Sequence, residues 1–518
     1  MDRLKEHYDW AVIGEHPAAL WTGLVMAKSG HSVVFVPYLP LLNWAESERG
    51  QGLDPNPNYV LGAHALMGSM LPDAEQIFRK TVAQVLTPEA RIRWGAQTEE
   101  ALRLVGREFS ASDSLIEELS KALQVGARFT SRYFSSFDRA IQERTARSEA
   151  EDRRFLQNHH AQKLFEQAFK KERARSERSV RSVLDRLLGR AVEGIPLSQR
   201  HWAEVFEGLG AALGGEDPIE NAPEWTLGRL STLIGLSSEG RSIRGGIGRL
   251  SQLLKREAEA HGAMVLPFME EFPRFFVEEG RLVGFQIKGL GRMTSVGHAV
   301  LGGSLEHFRS MVIHTAEGMQ ALKKAPAPTH WRFTLALSVH REALPPGVTH
   351  RMLWKERGAP ALEIETARGV EYGGTDEDER LVFLRTWLPY TQESLSSSHQ
   401  RKLAARMFEQ YKRIIPFSEY HVSRIYPDFR VEDDQSGEDE FSQVYGFVAP
   451  NLIPDNLKCY GGIGVGMSSG LSHLFVASHE SYPRFGSFGP FVAALEALSM
   501  LAPQALGKDL SGARREEA

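Results

Sequence analysis

Apolar residues run almost without interruption through two short segments near the start of the chain. Residues 9–14 (DWAVIG) and 32–36 (SVVFV) are rich in β-branched and aromatic side chains, which is typical of parallel strands buried on both faces. Between them, the segment from Pro17 to Ser29 suits a helix, with Gly30 as its C-cap. The pattern predicts a strand–turn–helix–strand unit.

From about residue 75 to residue 240 the pattern becomes helical and highly charged. The segment 170–190 carries eight Lys or Arg residues against three acids, and its apolar residues from Val180 to Leu188 recur at helical spacing. Two interpretations stay open. The segment is either a basic surface for an anionic partner such as a lipid head group, or the solvated face of an amphipathic helix, the simpler explanation.

Strand-like patterns return in the second half of the chain. The stretch from Gly245 predicts a glycine turn, a helix and a strand, and RFFVEEGRLVGFQI predicts a hairpin that turns at Glu279-Gly280. Residues 331–390 contain three strand-like runs, WRFTLALSV, ALEIET and RLVFLRTWL. Residues 433–440 are acidic and loop-like, and the last dozen residues are expected to form a frayed tail.

Composition narrows the class of protein. A chain of 518 residues exceeds the usual size of one core, so two packed domains are expected. The net charge of −5 gives no global argument for nucleic acid binding.

A single cysteine, Cys459, excludes an internal disulfide and a cysteine-based zinc site, and we predict no metal site. We find no signal-peptide pattern and no membrane-length apolar run, so we expect a cytoplasmic protein, with a peripheral membrane contact as an open alternative.

Five segments, in order, resemble the FAD-dependent amine-oxidoreductase superfamily, and within it the phytoene-desaturase and carotenoid-isomerase branch. The similar segments are YDWAVIGEHPAALWTGLVMAKSGHSVVFV, NYVLGAHALMG, GGIGRLSQLLKREAEAHGAMV, IIPFSEYHVSRIYPDF and HLFVASHESYPRFGSFGPFVAALEAL. They correspond in the family to the first FAD strand–turn–helix–strand, the segment after it, the central glycine turn and helix, the late helix–turn, and the closing FAD strand, turn and helix.

The resemblance implies an α/β fold, with an FAD/NAD(P)-binding Rossmann-like domain of the glutathione-reductase type plus an α+β substrate domain. In this family the flavin carries the redox chemistry and the protein positions it. The expected parts are an FAD-type domain in three pieces (1–75, 241–325 and 441–505), a mostly helical substrate or cap region (76–240), substrate-domain strands and helix (326–440), and a flexible tail (506–518).

The first turn departs from the dinucleotide-binding fingerprint. In that fingerprint the first glycine makes the turn, the second lets backbone N–H groups approach the pyrophosphate, and the third allows close packing of helix and strand. Gly14 keeps the first position, His16 replaces the second and Ala19 the third. Pro17 and Ala18 match the family's usual choice. His16 either pairs with a phosphate as an imidazolium, or fills a space that no dinucleotide uses, which is the interpretation we prefer.

Other cofactor contacts expected from the family change as well. Pro37 stands where an acidic residue should accept hydrogen bonds from the ribose. Arg49 belongs to an imperfect remnant of the Arg/Gly-Gly run. Near the closing strand, Ser478, His479 and Glu480 replace Gly-Asp or Gly-Ala. The strand near Phe272 would meet the adenine through its backbone, but Pro273 disturbs it.

These changes bear on FAD binding and function. If each lost hydrogen bond is worth about 1–3 kcal/mol, losing two or three weakens binding by several powers of ten. We therefore expect FAD, if any cofactor, to bind poorly or not at all. The cofactor-site residues are Gly14, His16, Pro17, Ala18, Ala19, Arg49, Phe272, Ser478, His479 and Glu480.

Three functions remain open. The first is a pseudoenzyme-like protein that binds an apolar ligand or a protein partner. The second is an active FAD-dependent desaturase or isomerase acting on a hydrophobic substrate. The third is an interaction module that docks through segment 170–190. Tyr482, Phe485, Phe488 and Phe491 either line an apolar tunnel or belong to the core. No catalytic side chain is identified.

Overall fold

The structure is a computed structural model of the chain. The residues that it describes are 4–37, 59–60, 67, 70–80, 83–86, 91–94, 117, 241–267, 273–287, 293–314, 318–346, 348, 350–354, 361–372, 374–430, 458–460, 464–483 and 489–501. The basic segment 170–190, the acidic loop 433–440 and the tail 506–518, for which the sequence made predictions, lie outside the described residues.

The first sheet contains the predicted strand–turn–helix–strand unit. Within the described residues it has eight strands, in the order β12-β9-β10-β11-β1-β2-β8, with β19 also paired to β11. Their bounds are β1 His7–Gly14, β2 Val33–Val36, β8 Met264–Val265, β9 Arg274–Glu278, β10 Arg281–Gln286, β11 Met293–Gly302, β12 Val312–His314 and β19 Leu474–Val476. The strands β8, β2, β1, β11 and β19 are parallel, which confirms the expected parallel sheet.

Helix α1, Pro17–Lys28, follows β1 as predicted. Its residues from Pro17 to Ala27 are all buried, because the helix packs between the first sheet and two further helices. Gly23 permits this close packing, since an added Cβ would lie 2.5 Å from Val12 and 2.7 Å from Phe35. Gly30 adopts a left-handed conformation, with φ of +88°, as expected for a residue that ends a helix.

The described part of the chain contains five further α-helices. They are α2 Ala74–Ile77, α3 Gly246–Ala260, α4 Leu305–Met311, α5 Ser397–Ile414 and α6 Gly489–Leu501.

The predicted hairpin is confirmed. Strands β9 and β10 pair in antiparallel fashion and turn at Glu279-Gly280, where both residues have positive φ.

The second sheet forms the core of the expected substrate domain. Its order in the described part of the chain is β17-β13-β16-β15-β14-β5-β6, with β18 paired to β13. Its strands are β5 Ala83–Leu86, β6 Arg91–Trp94, β13 Pro328–His340, β14 Arg351–Trp354, β15 Leu362–Arg368, β16 Glu379–Pro389, β17 Val422–Tyr426 and β18 Lys458–Tyr460. One face is apolar and packs against α5 through residues such as Trp331, Met407 and Tyr411. All three predicted strand runs are confirmed.

Three strands lie in the part of region 76–240 that the structure describes. They are β4 Phe78–Lys80, β5 and β6, and the last two join the second sheet. Most of this region lies outside the described residues, so its helical character and the division into domains stay predictions. Strand β18 also lies in the second sheet, although residues 441–505 were assigned to the FAD-type domain. In a third, small sheet, β7 Arg241–Ile243 pairs with β3 Tyr59–Val60 on one side and with β4 on the other. Among the described helices, none is both long and apolar enough to cross a bilayer.

Candidate functional site

The turn between β1 and α1 lies at the carboxyl end of the parallel sheet, where dinucleotides bind in this type of fold. Gly14 ends β1 with φ of +101°, which favours glycine. The neighbouring strand β11 runs in register with β1, so that Gly14 lies opposite Gly302. A Cβ on Gly302 would lie 2.6 Å from Cβ of Ala19. The two strand ends and the helix start are therefore in close contact.

His16 is the N-cap residue of α1. Its Nδ1 accepts a hydrogen bond of 3.1 Å from the backbone N–H of Ala18. Serine, threonine, aspartate and asparagine are the usual residues at this position, because their side-chain oxygens accept such a bond. Here an imidazole nitrogen performs the same role, next to Pro17 at the first helical position.

Every donor at the start of α1 has an acceptor within the protein. A helix normally leaves its first four N–H groups without helical partners, and phosphate binding at a helix N-terminus uses these groups. The N–H of His16 donates to the carbonyl of Gly302 at 3.3 Å, and that of Ala19 donates to the carbonyl of His16 at 3.0 Å. Ala18 donates to the imidazole, and Pro17 has no N–H.

The His16 ring packs against two residues from the end of the chain. Its centroid lies 5.0 Å from that of His479, in an edge-to-face arrangement, and 6.2 Å from that of Phe491. Burial and the neighbouring His479 lower the pKa of His16 well below its ordinary value of 6.5. The imidazole is therefore neutral at neutral pH, as its acceptor role requires. A neutral acceptor at this position favours the second interpretation, in which the ring fills the space. Phe491 is buried in the core.

Glu15 ties the turn to α3. Its carboxylate pairs with the ammonium of Lys255, with Nζ 2.6 Å from Oε1. Both side chains are about four-fifths buried, with 20% and 22% exposed. The pair places a negative charge in the turn that a pyrophosphate would approach, and Lys255 balances it.

The side chains of the closing turn after β19 also have hydrogen-bond partners within the protein. Glu480 is buried, and its carboxylate accepts hydrogen bonds of 2.9 Å from Oγ of Ser304 and from the N–H of Leu305. These donors lie at the N-terminus of α4, where a carboxylate is favourable. Ser478 accepts a bond from Glu480 N–H at 3.4 Å, and its own N–H donates to Ser481 Oγ at 3.2 Å.

The structure brings together most of the residues predicted for the cofactor site. The β1–α1 turn, with Gly14 and His16, contacts the closing turn through His479. Pro37 follows directly on β2. Arg49 and Phe272 lie outside the described residues. Lys255 and Ser304 were not predicted, and they reach the turns from segments more than 170 residues away in sequence. The Gly-Gly-Ser run that begins at the last residue of β11 was the available signal for Ser304.

The FAD group does not fit this set of residues. The amides at the start of α1 already have acceptors, and an imidazole occupies the cap position. A pyrophosphate at this helix end would have to displace that ring. Glu480, the one acidic side chain of the predicted site, already bonds to α4. No reaction step through a flavin is therefore derived from these residues.

The second sheet carries buried charges on the face opposite α5. Strand register places Arg385 opposite Glu363, and Arg351 opposite Glu365, on neighbouring rows of that face. The ion pairs run diagonally, from Arg351 to Glu363 and from Arg385 to Glu365. Arg332 stacks over the Trp387 ring at 4.5 Å. Three guanidinium groups thus accompany two carboxylates at one buried surface.

Electrostatics connect this charged layer to the closing turn. Burial alone would raise the pKa of Glu363, but the charges of Arg351, Arg332 and Arg385 lower it below its ordinary value. Burial and the charge of Arg332 lower the pKa of His479 to about 4. Arg332 of the second sheet therefore influences the same histidine that contacts His16, and the layer extends towards the β1–α1 turn.

Comparison with known proteins identifies the fold. No protein-family model and no curated protein sequence matches the chain. Its structure is similar to that of an oxidoreductase from Methanosarcina mazei, with a TM-score of 0.56 and 11% identity over 94% of this chain and 99% of that chain.

Two amine oxidases are also similar. A putrescine oxidase with redesigned cofactor binding has a TM-score of 0.49 and 11% identity, covering 96% of this chain and 99% of that chain. Cyclohexylamine oxidase from Brevibacterium oxydans has a TM-score of 0.44 and 13% identity, covering 99% of this chain and 100% of that chain.

The Methanosarcina protein carries the assignment, because the scores of the two oxidases fall below 0.5, and at such identities a likeness shows the fold alone. Together with the sheet topology, it shows that the chain shares the fold of that oxidoreductase, with a Rossmann-like parallel sheet and a second, mostly antiparallel sheet.

Proposed function

We propose that this chain is a binding protein that uses the FAD-oxidoreductase fold without holding a flavin. The N-cap role of His16 carries this proposal, because the imidazole accepts the N–H that a phosphate would otherwise use. The proposed ligand is an apolar small molecule or a protein partner. We propose further that the chain is a pseudoenzyme of the phytoene-desaturase-like branch with altered cofactor motifs.

Nucleotide binding at the β1–α1 turn would cost contacts that the turn already makes. Displacing the His16 ring would remove an N-cap bond worth about 0.5–2 kcal/mol. It would also remove the aromatic contacts with His479 and Phe491, worth about 0.5–1.5 kcal/mol for each good pair. The bonds made by an incoming pyrophosphate must offset these losses. The ribose of the same nucleotide would also find no acceptor, because Pro37 stands where an acidic side chain is expected.

An active FAD-dependent oxidoreductase is the second candidate. The retained glycine turn before α3 favours it, since Gly245 and Gly246 both have positive φ, at +79° and +78°. In that case the His16 side chain would rotate out of the cap position, and FAD would bind mainly at the glycine turn that starts α3. The two candidates differ in one observable property, the presence of bound flavin.

Visible absorption spectroscopy of the purified full-length protein separates these candidates. The proposal predicts no flavin band after purification and no saturable binding when FAD is added. The variant His16→Gly with Pro37→Glu should bind FAD more tightly than the wild type, since it restores a bare turn and a ribose acceptor.

The matched control is His31→Gly, which makes the same replacement at an exposed histidine just beyond α1. It should leave FAD binding at the wild-type level. A wild-type protein that is purified yellow, with near-stoichiometric flavin, would overturn the proposal and favour the oxidoreductase.

A further inference from the structure

Two histidines face each other at the end of the β13–β17 ladder. In this antiparallel pair Val339 lies opposite Val422. His340 is the next residue along β13, and His421 is the residue just before β17. Continuing the register by one residue places the two histidines opposite each other. Opposite residues in such a pair have Cβ atoms about 4.5–5.5 Å apart, so the backbone brings both imidazoles to one place.

Glu342 supplies a third potential ligand. It lies two residues after His340, in the short 3₁₀ helix Arg341–Ala343 for which His340 is the N-cap. Its Oε2 is 3.7 Å from Nδ1 of His340. One ligand atom from each of His340, Glu342 and His421 lies within 4.8 Å of the other two. The two imidazole rings are nearly parallel, with centroids 6.4 Å apart and an interplanar angle of 26°.

The turn that carries Glu342 is anchored to the sheet. The backbone N–H of Arg341 donates to the carbonyl of Asp378 at 2.8 Å. The guanidinium of Arg341 pairs with the Asp378 carboxylate at 3.1 Å. The Arg341 guanidinium therefore pairs with Asp378, so a metal ion can bind the Glu342 carboxylate without breaking that ion pair.

The turn that carries His421 is anchored by a buried serine at its start. The short 3₁₀ helix Ser418–His421 follows α5, and its first residue, Ser418, is fully buried. The Ser418 hydroxyl donates to the carbonyl of Ile415 at 2.7 Å. Both ligand-bearing turns thus start from fixed backbone, and only the three side chains need to adjust to bind an ion.

We propose that His340, Glu342 and His421 form a binding site for a divalent transition-metal ion, with Zn²⁺ as the ion that suits them best. Two imidazoles and one carboxylate are a common zinc ligand set and leave a fourth position for water. Zinc–ligand distances of about 2.0–2.2 Å require the three ligand atoms to approach to about 3.3 Å from one another. Side-chain rotations close that gap.

Zinc binding to the metal-stripped full-length protein tests this site. Competition with a chromophoric chelator should reveal one site that is lost or weakened in each ligand variant. Since loss of an outer-shell partner alone costs about 10–100-fold in metal affinity, His340→Gln and His421→Gln should each raise the Kd at least about tenfold. Glu342→Gln should also raise it.

The control is His399→Gln. His399 is a surface histidine with a carboxylate nearby, 3.8 Å from Glu393, but it is absent from the three-ligand group. This variant should bind zinc as the wild type does. Co²⁺ substitution should give visible bands of four-coordinate geometry in the wild type and not in His421→Gln.

Two results would overturn the site. One is the absence of zinc binding to the wild type, and the other is binding that all three ligand variants retain at the wild-type Kd. Circular dichroism of each variant checks that the fold is intact. The site uses different residues from the β1–α1 turn, so its failure would leave the proposed function untouched, and the reverse also holds.

Discussion

Replacing His16 with alanine should destabilise the first domain by an amount that the structure sets. The change removes the acceptor for the Ala18 N–H, 3.1 Å from Nδ1, and loss of an N-cap acceptor typically costs about 1 kcal/mol. It also removes ring contacts with His479 and Phe491, worth about another 1 kcal/mol. We expect the free energy of unfolding to fall by about 2 kcal/mol.

A second variant separates the cap from the packing. His16→Asn keeps a side-chain acceptor that suits an N-cap, but it loses the ring, so it should cost only about 1 kcal/mol. Urea unfolding followed by tryptophan fluorescence at neutral pH measures both variants against the wild type. Hydrogen exchange of a peptide that spans α1 should show faster exchange at Ala18 in His16→Ala than in His16→Asn.

The comparison between the two variants shows whether the hydrogen bond or the packing of the ring stabilises the turn. If asparagine is as destabilising as alanine, the hydrogen bond contributes nothing and only packing matters. If neither variant differs from the wild type, the imidazole is not a structural part of the turn. The closed helix start would then no longer argue against a nucleotide.

Two further predictions concern buried charge. Because burial and Arg332 lower the pKa of His479 to about 4, from about 6.5 in the unfolded chain, the unfolded state takes up this proton first as pH falls. This group's stabilisation is therefore complete above about pH 6.5 and is lost towards about pH 4, by up to about 1.4 kcal/mol per pH unit. His479→Gln should flatten the dependence of urea midpoint on pH, and an unchanged slope would contradict this. In the second sheet, Glu365→Gln removes the carboxylate that pairs with the buried Arg385, so thermal unfolding should show a loss of about 3–5 kcal/mol. Replacing both residues by Met should recover most of this loss, and a double variant as unstable as the single one would refute this account.

Local sequence patterns predicted much of the first domain. The β-branched runs of β1 and β2, Pro17 at a helix start and Gly280 in a two-residue hairpin turn act over a few residues, and each lies where it was expected. These signals are strong because strand burial, helix capping and turn conformation depend mainly on neighbours in sequence.

The parts that could not be predicted depend on distant pairing. Strand β5 joins β14, more than 260 residues later, and a four-residue run carries no information about such a partner. The sequence suggested that His16 fills space, but its role as an acceptor depends on the orientation of the ring against His479 and Phe491. Likewise, Glu480 was expected near a cofactor, and only the fold brings Ser304 within 2.9 Å of it.

The measurement that tests the central claim most directly is an FAD titration of the purified wild-type protein, followed by flavin absorption and fluorescence. The closed start of α1 predicts an unchanged spectrum of free FAD at every protein concentration, alongside measurable binding by His16→Gly with Pro37→Glu. Saturable, stoichiometric flavin binding by the wild type would contradict it and would show that the imidazole yields its position to a phosphate.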